Sequence, residues 1–446
     1  MLDMPTMRAL FFLSVSLSAW ACSSLPVGTD AGDDGGSDVL APDALEPTDA
    51  GDANTPNDAG SDVVLRTATE WVLPIDMDGD PQSIASDSQG NVIIAGQNSA
   101  ANLFFTKFDP YGNVIWNKVF AGGEDGTSVV IDSSDNVILV GEGFGASFSV
   151  GGSTLGGGSF VAKFAPDGTH VWSKRLVAGQ FDISPCVVLG ASDSVIAGGR
   201  FQGNAAVAGG PALSPAGAYA VKLDSTGALV WSKALGGGDT PHAATADGSG
   251  GAILVGEGAT CGASGAHYAV HVDSSGTCTG AATAGYAFDV VADSSGNSYV
   301  TIGASTQNTV CNGVAGFMLA KLDPSFSTVW SKCFQGGNPQ MLARGLLAQP
   351  GNVLATGAVY GAPDASADLG GGSIVSTNMF VLEEALDGGY VGQSLWPVAG
   401  TTADPYYLAP APSSDLYLFG GSGGAVLAFG DASVLAPLGF LARVKP

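Results

Sequence analysis

The chain repeats itself about every fifty residues, and that period restricts the possible folds more than its length or composition does. The clearest repeated unit is a polar turn leading into an apolar strand that ends in glycine. It occurs as "DSQGNVIIAG" (87–96), "DSSDNVILVG" (132–141), "GASDSVIAGG" (190–199), "DGSGGAILVG" (247–256), "DSSGNSYVTIG" (293–303), "AQPGNVLATG" (348–357) and "APSSDLYLFGG" (411–421), seven copies in all. Asp, Ser, Gly and Asn favour tight turns, Gly and Asn because they accept positive φ. The apolar runs lack polar alternation, so both faces of each strand are expected to be covered.

A second unit, again in seven copies, places an aromatic residue or Met three positions before a polar head. The pairs are Phe104/Lys107, Phe160/Lys163, Tyr219/Lys222, Tyr268/His271, Met318/Lys321, Phe380/Glu383 and Phe440/Arg443. A third unit carries Trp in a final strand, at Trp116, Trp172, Trp231, Trp330 and Trp396; the fourth repeat lacks it and reads "SSGTCTG" (274–280). The seventh repeat runs out after Arg443, whereas "TEWVLPI" (69–75) is a Trp strand with no repeat of its own.

Seven sheets, the last completed by an N-terminal strand, describe a closed ring. The expected fold is therefore all-β: a seven-bladed β-propeller of four-stranded antiparallel blades, closed by an N-terminal strand pairing into the last blade. Approximate repeats are 82–124, 125–180, 181–238, 239–285, 286–338, 339–400 and 401–446, the last completed by 68–76. Trp is expected to anchor each outermost strand. The Lys of "WSK" should keep that edge from pairing with other chains, and the following glycines should let the chain swing into the next blade.

The stretch "SFSVGGSTLGGGSFVAKFAPDGTHVWSK" (147–174) resembles the SBBP-type β-propeller repeat of secreted bacterial proteins, which residues 68–446 follow more loosely. That resemblance implies a propeller and an extracytoplasmic address, and it brings no catalytic residues with it. "FDPYGNVIW" and "LDSTGALVW" are similar to the tryptophan-docking motif of PQQ quinoproteins. Their spacing is one residue short and no adjacent cysteine pair is present, so they read as a turn with its packed Trp.

The N-terminus points to export. Arg8, then "ALFFLSVSLSAWA", then Cys22 form a secretory signal over 1–21 whose apolar run is too short for a stable membrane span. "LSAWAC" resembles the lipobox of bacterial lipoproteins, with Cys22 as the lipidated residue and Trp20 as a departure from the pattern; translation from Met7 would give a more typical signal. Residues 22–66 then read as the lipidated Cys plus a disordered Asp/Gly/Ala-rich linker, with the propeller spanning 67–446. Between 23 and 64 there are ten acids and no Lys or Arg, a composition that cannot bury enough apolar surface to offset ordering entropy. Of the formal charge of −26, about −16 remains on the rest of the chain, which argues against a nucleic-acid partner.

Compact chemistry is scarce. "DMDGD" sets Asp76, Asp78 and Asp80 close together as a Ca²⁺ loop would, but its Gly79 stands at the fourth place, unlike an EF-hand; Ca²⁺ is the one cofactor candidate and none is otherwise expected. His267 and His271 would share a strand face about 13 Å apart, too far for one zinc, and His271 reads as a substitute for the repeat's Lys. Beyond Cys22, a bridge between Cys311 and Cys333 is expected first and one between Cys261 and Cys278 second, leaving Cys186 as a buried thiol.

The sequence thus points to a monomeric lipoprotein on the bacterial outer membrane or cell surface, touching the membrane only through its lipid. It is expected to be a non-catalytic binding or display module for an extracellular or envelope ligand. The alternatives are a propeller enzyme (hydrolase, lyase or oxidoreductase) acting on an extracellular glycan or small molecule, and a structural envelope component. An enzyme would need titratable side chains from several blades converging at one mouth of the ring.

Overall fold

A computed structural model describes residues 69–445, apart from 77–81, 101, 179–185, 204, 238–240, 259, 264, 305–309, 336–339, 361–365, 376–377, 400–402, 423–425, 430–431 and 436–438. Its strands form seven antiparallel blades. Blade one runs outward from the ring centre as Ser83–Ser86, Val92–Gln97, Asn102–Phe108 and Val114–Ala121. The innermost strands of blades two to seven are Gly123–Ile131, Cys186–Leu189, Pro241–Ala246, Ala287–Ala292, Gln340–Gln349 and Ala403–Pro410. Each innermost strand touches the next, and the seventh touches the first. Blade seven is finished from the other end of the chain: Thr69–Ile75 pairs antiparallel with Gly439–Val444, Trp71 opposite Arg443. The ring is closed by hydrogen bonds between the first and last described strands.

The apolar runs explain where the core lies. Among the described residues the buried apolar side chains fall into seven clusters, one at each junction between neighbouring blades. In Val137–Gly143, Val137 and Leu139 pack toward blade one, while Ile138 and Val140 pack toward blade three. Successive side chains point to opposite faces, so a strand buried on both faces must be apolar at every position. Outer strands instead leave residues such as Ile115, Val171, Val230 and Val329 about half exposed. The outer strand of blade six, Tyr390–Ala399, carries a further hairpin, Val426–Phe429 and Ala432–Leu435, contributed by blade seven.

Two families of tight turns share one face of the disc. In the turn after the innermost strand, the Asp87 carboxylate accepts from the backbone of Gln89 and Asn91, and Asp132, Asp247 and Asp293 repeat the arrangement. The outer turns use Asp109, Asp224, Asp273 and Asp323 in the same way.

The outer turn of one blade receives the Trp of the blade before it. The indole N–H groups of Trp71, Trp116, Trp172, Trp231 and Trp330 donate to the carbonyls of Pro110, Pro166, Ser225, Ser274 and Leu386, at 2.9 to 3.3 Å. The rings lie over the turn glycine: Gly227 has φ +83°, and a Cβ there would stand 2.9 Å from Trp172. The polar head of the second repeat joins in. Lys107, Lys163, Lys321 and Arg443 pair with Asp87, Asp132, Asp293 and Asp415 of their own blades. Each also donates to the same carbonyl that its blade's Trp uses. A recurrent Trp and a recurrent cation therefore clamp blade to blade.

Trp396 does not belong to this series. In blades one, two, three and five the Trp pairs in register with the cation, as Lys222 does with Trp231, but in blade six Glu383 pairs with Gly392. Trp396 lies four residues further on, fully buried in the core shared with blade seven. Blade seven has no outer turn to receive an indole, because its two outer strands come from opposite ends of the chain. The Lys of "WSK" also does more than guard an edge: Lys332 pairs with Glu384 of blade six at 2.5 Å.

Candidate functional site

The other face of the disc carries the long connections between second and third strands and the crossings between blades. There the innermost strands of blades four to seven share an irregularity. Pro241 pairs with Gly256 and Ala243 with Val255, leaving His242 as an extra residue. Phe288 is the extra residue in blade five, Arg344 in blade six and Tyr406 in blade seven. Such a bulge redirects one side chain without breaking the sheet. In blades five to seven the glycine ending the apolar strand makes room for it: a Cβ on Gly303 would stand 2.9 Å from the Phe288 ring, and one on Gly357 or Gly420 would collide with the carbonyl of Leu342 or Asp404.

The redirected side chains meet at the mouth of the ring. Tyr286, two residues before Phe288, lies 4.5 Å from the His242 ring, and its Oη is 3.2 Å from His242 Nδ1. Tyr286 also packs against Phe288 at 5.1 Å, with His267 edge-on at 5.9 Å. The Arg344 guanidinium stands 5.6 Å from the Phe288 ring centre and 4.6 Å from that of Tyr406. An arc of rings with one cation thus spans four blades. Arg344 Nε is buried with no hydrogen-bond partner, and Arg344 makes no ion pair among the described residues. Burial, with the charge of Glu257, pushes the Tyr286 phenol up to about 12 against the opposing charge of Arg344.

Asp289 braces the arc from below. Its carboxylate accepts from Leu346 N of blade six at 2.7 Å and from Val290 N at 2.8 Å. Burial nevertheless pushes its carboxyl up to about 7, the two backbone bonds opposing. Ser83 makes the corresponding link between blades one and two, accepting from Val129 N at 3.0 Å.

Of the residues singled out from sequence, Cys311 is bonded to Cys333 and Cys261 to Cys278, with Cα–Cα distances of 5.5 and 5.7 Å. Each bridge ties the loop between second and third strands to the outer strand of its own blade. Cys186 is a buried free thiol. Asp76 is exposed at the end of the closing strand, while Asp78, Asp80 and Cys22 lie outside the described residues. His267 and His271 part company, the first at the mouth beside Tyr286 and the second 2.7 Å from Asp247 near the tight turns. Sequence reasoning missed the arc. Its only linear trace is one large residue beside small ones in "PHAAT", "AFDVV", "LARGL" and "PYYLA".

No family model matches the chain, and no curated protein matches it. Among solved structures it is similar to streptogramin B lyase, at 11% identity over 84% of this chain and 98% of that one, with a TM-score of 0.49. BBS1N in complex with ARL6DN is similar at 10% identity over 86% and 98%, TM-score 0.48. A PL25 ulvan lyase is similar at 11% identity over 75% and 95%, TM-score 0.42. Likeness at this level concerns the fold and transfers no residue. The blades, the ring of innermost strands and the N-terminal closure make this chain a seven-bladed β-propeller.

Proposed function

We propose that the protein is an envelope lipoprotein, held outside the cytoplasm through Cys22, whose propeller binds an acidic saccharide at the mouth opposite the tight turns. Arg344 carries the reading. A guanidinium held between two aromatic rings, with a buried N–H lacking an acceptor, is a seat prepared for an anion. The flanking rings suit the C–H face of a pyranose. The propeller's net negative charge is screened beyond about 8 Å at physiological salt, so the local cation governs at contact distance.

Calorimetric titration with oligogalacturonate, against a neutral galacto-oligosaccharide as control, tests this. Saturable binding that falls at least tenfold in Arg344→Ala, and less in Arg344→Lys, is the expected result. Equal affinity in wild type and Arg344→Ala, or no binding, refutes it.

A propeller enzyme acting on the same ligand is the second reading, favoured by the Tyr286–His242 contact. A phenol pushed up to about 12 stays protonated at neutral pH, so little of the phenolate a general base requires is present, and binding is the preferred function. Consumption of the oligosaccharide during the titration would reverse that preference.

A further inference from the structure

On the tight-turn face, one junction differs from the others that possess a receiving turn. Blade five presents an intact outer turn, in which the Asp323 carboxylate accepts from Ser325 N and Ser327 N and Phe326 N donates to the Asp323 carbonyl at 2.8 Å. Pro324 stands where Pro110 and Pro166 offer their carbonyls to a docked indole. Among the described residues blade four sends no indole and no cation to that turn's carbonyl. Thr279 pairs with His271 in the register where Trp pairs with Lys in blade three. His271 is shorter than Lys and stops at Asp247, 2.7 Å away. Phe326, at φ +62°, replaces the usual turn glycine and packs into the neighbouring core. The result is a cavity of about 320 Å³, bounded by Asp247, Ser249, His271, Ser295, Pro324 and Phe326.

We infer that this cavity binds a small arylalkylammonium, an aromatic ring carrying a ring N–H and a short cationic arm. The protein's own junctions define that chemistry. At four of them an ammonium or guanidinium and an indole N–H converge on a single carbonyl beside a carboxylate. Between blades four and five the carboxylate of Asp247, held by His271 and Ser249, and the carbonyl-bearing turn remain, but among the described residues neither an indole nor a cation reaches the turn carbonyl. Burial raises the Asp247 carboxyl, but hydrogen bonds from His271, Ser249 and the turn backbone outweigh it and hold it at about 2, so the negative charge is present at neutral pH. The volume sits at the lower end of small-molecule sites.

Tryptamine is the probe, titrated calorimetrically into the purified protein. Saturable one-to-one binding is expected, weakened at least tenfold in Asp247→Asn. It should be abolished in Thr279→Trp/Phe326→Gly, which rebuilds the missing dock. Ser295→Phe, which fills the cavity from its exposed rim, should also abolish binding and guards against misfolding of the double variant. Arg344→Ala should leave tryptamine affinity unchanged, which separates this site from the mouth. No saturable binding at millimolar tryptamine overturns the inference, as does unaltered affinity in the two filled variants.

Discussion

The inter-blade clamp makes a quantitative prediction for Gly227 and Trp172, which meet across the junction of blades two and three. Gly227→Ala places a methyl 2.9 Å from the indole at φ +83°. The left-handed backbone costs an alanine about 1–2 kcal/mol whatever lies above it. The clash adds a second cost only while the indole is present: displacing the ring loses the 3.3 Å bond to Ser225 O, about 1 kcal/mol, and part of the ring's burial, about as much again. Trp172→Ala alone should cost about 2–3 kcal/mol, less than a fully buried Trp because this side chain is only half-buried. In the double variant the clash disappears, so its cost should fall short of the sum of the single costs by about 1–2 kcal/mol. Urea unfolding of the four proteins, followed by circular dichroism, measures that coupling. Additivity within about 0.5 kcal/mol would show that the ring does not rest on the turn, and the clamp as described would be wrong.

Asp289 predicts a pH dependence. With its carboxyl near 7 in the fold and about 4 in the unfolded chain, the folded state holds a proton that the unfolded state releases between those values. Its contribution to stability is therefore largest below pH 4, is lost as pH rises to 7 and is flat above, a change of a few kcal/mol at most. Asp289→Asn should remove that slope, gaining on wild type at pH 8 relative to pH 4 in thermal melts; an equal difference at both pH values contradicts it. Opening the Cys311–Cys333 bridge, whose partners are 22 residues apart, should cost about 3 kcal/mol by chain entropy, read as a lower urea midpoint for Cys311→Ser/Cys333→Ser. An unchanged midpoint would show that the loop is held without it. Cys22→Ser should move the protein from the membrane to the soluble fraction and abolish palmitate labelling; retention in the membrane argues against the lipid anchor.

Much of this architecture was legible in the linear chain because its signals are local. "VIIAG" and "AILVG" are strands whose two covered faces can be read from composition alone, and "DSSGN" is a turn wherever it occurs. The count of repeats, with an orphan "TEWVLPI" ahead of them, fixed both the number of blades and the closing strand. Trp396 was misplaced because spacing shows that a Trp is present, while only strand register shows which residue faces Glu383. The clamp carbonyls escaped notice for a related reason: a backbone oxygen has no letter.

Composition and period therefore determined the ring, since six of the seven blades are made by contacts among neighbours in sequence and their apolar faces must be covered by like blades on either side. The mouth was decided by tertiary structure. His242, Phe288, Arg344 and Tyr406 are successively 46, 56 and 62 residues apart along the chain, and each is redirected by a bulge, a mismatch between two strands that neither strand's sequence contains. The vacancy between blades four and five has the same origin: Thr279 matters because the turn it fails to reach belongs to another blade. Local chemistry makes the strands, and convergence around the closed ring makes the sites.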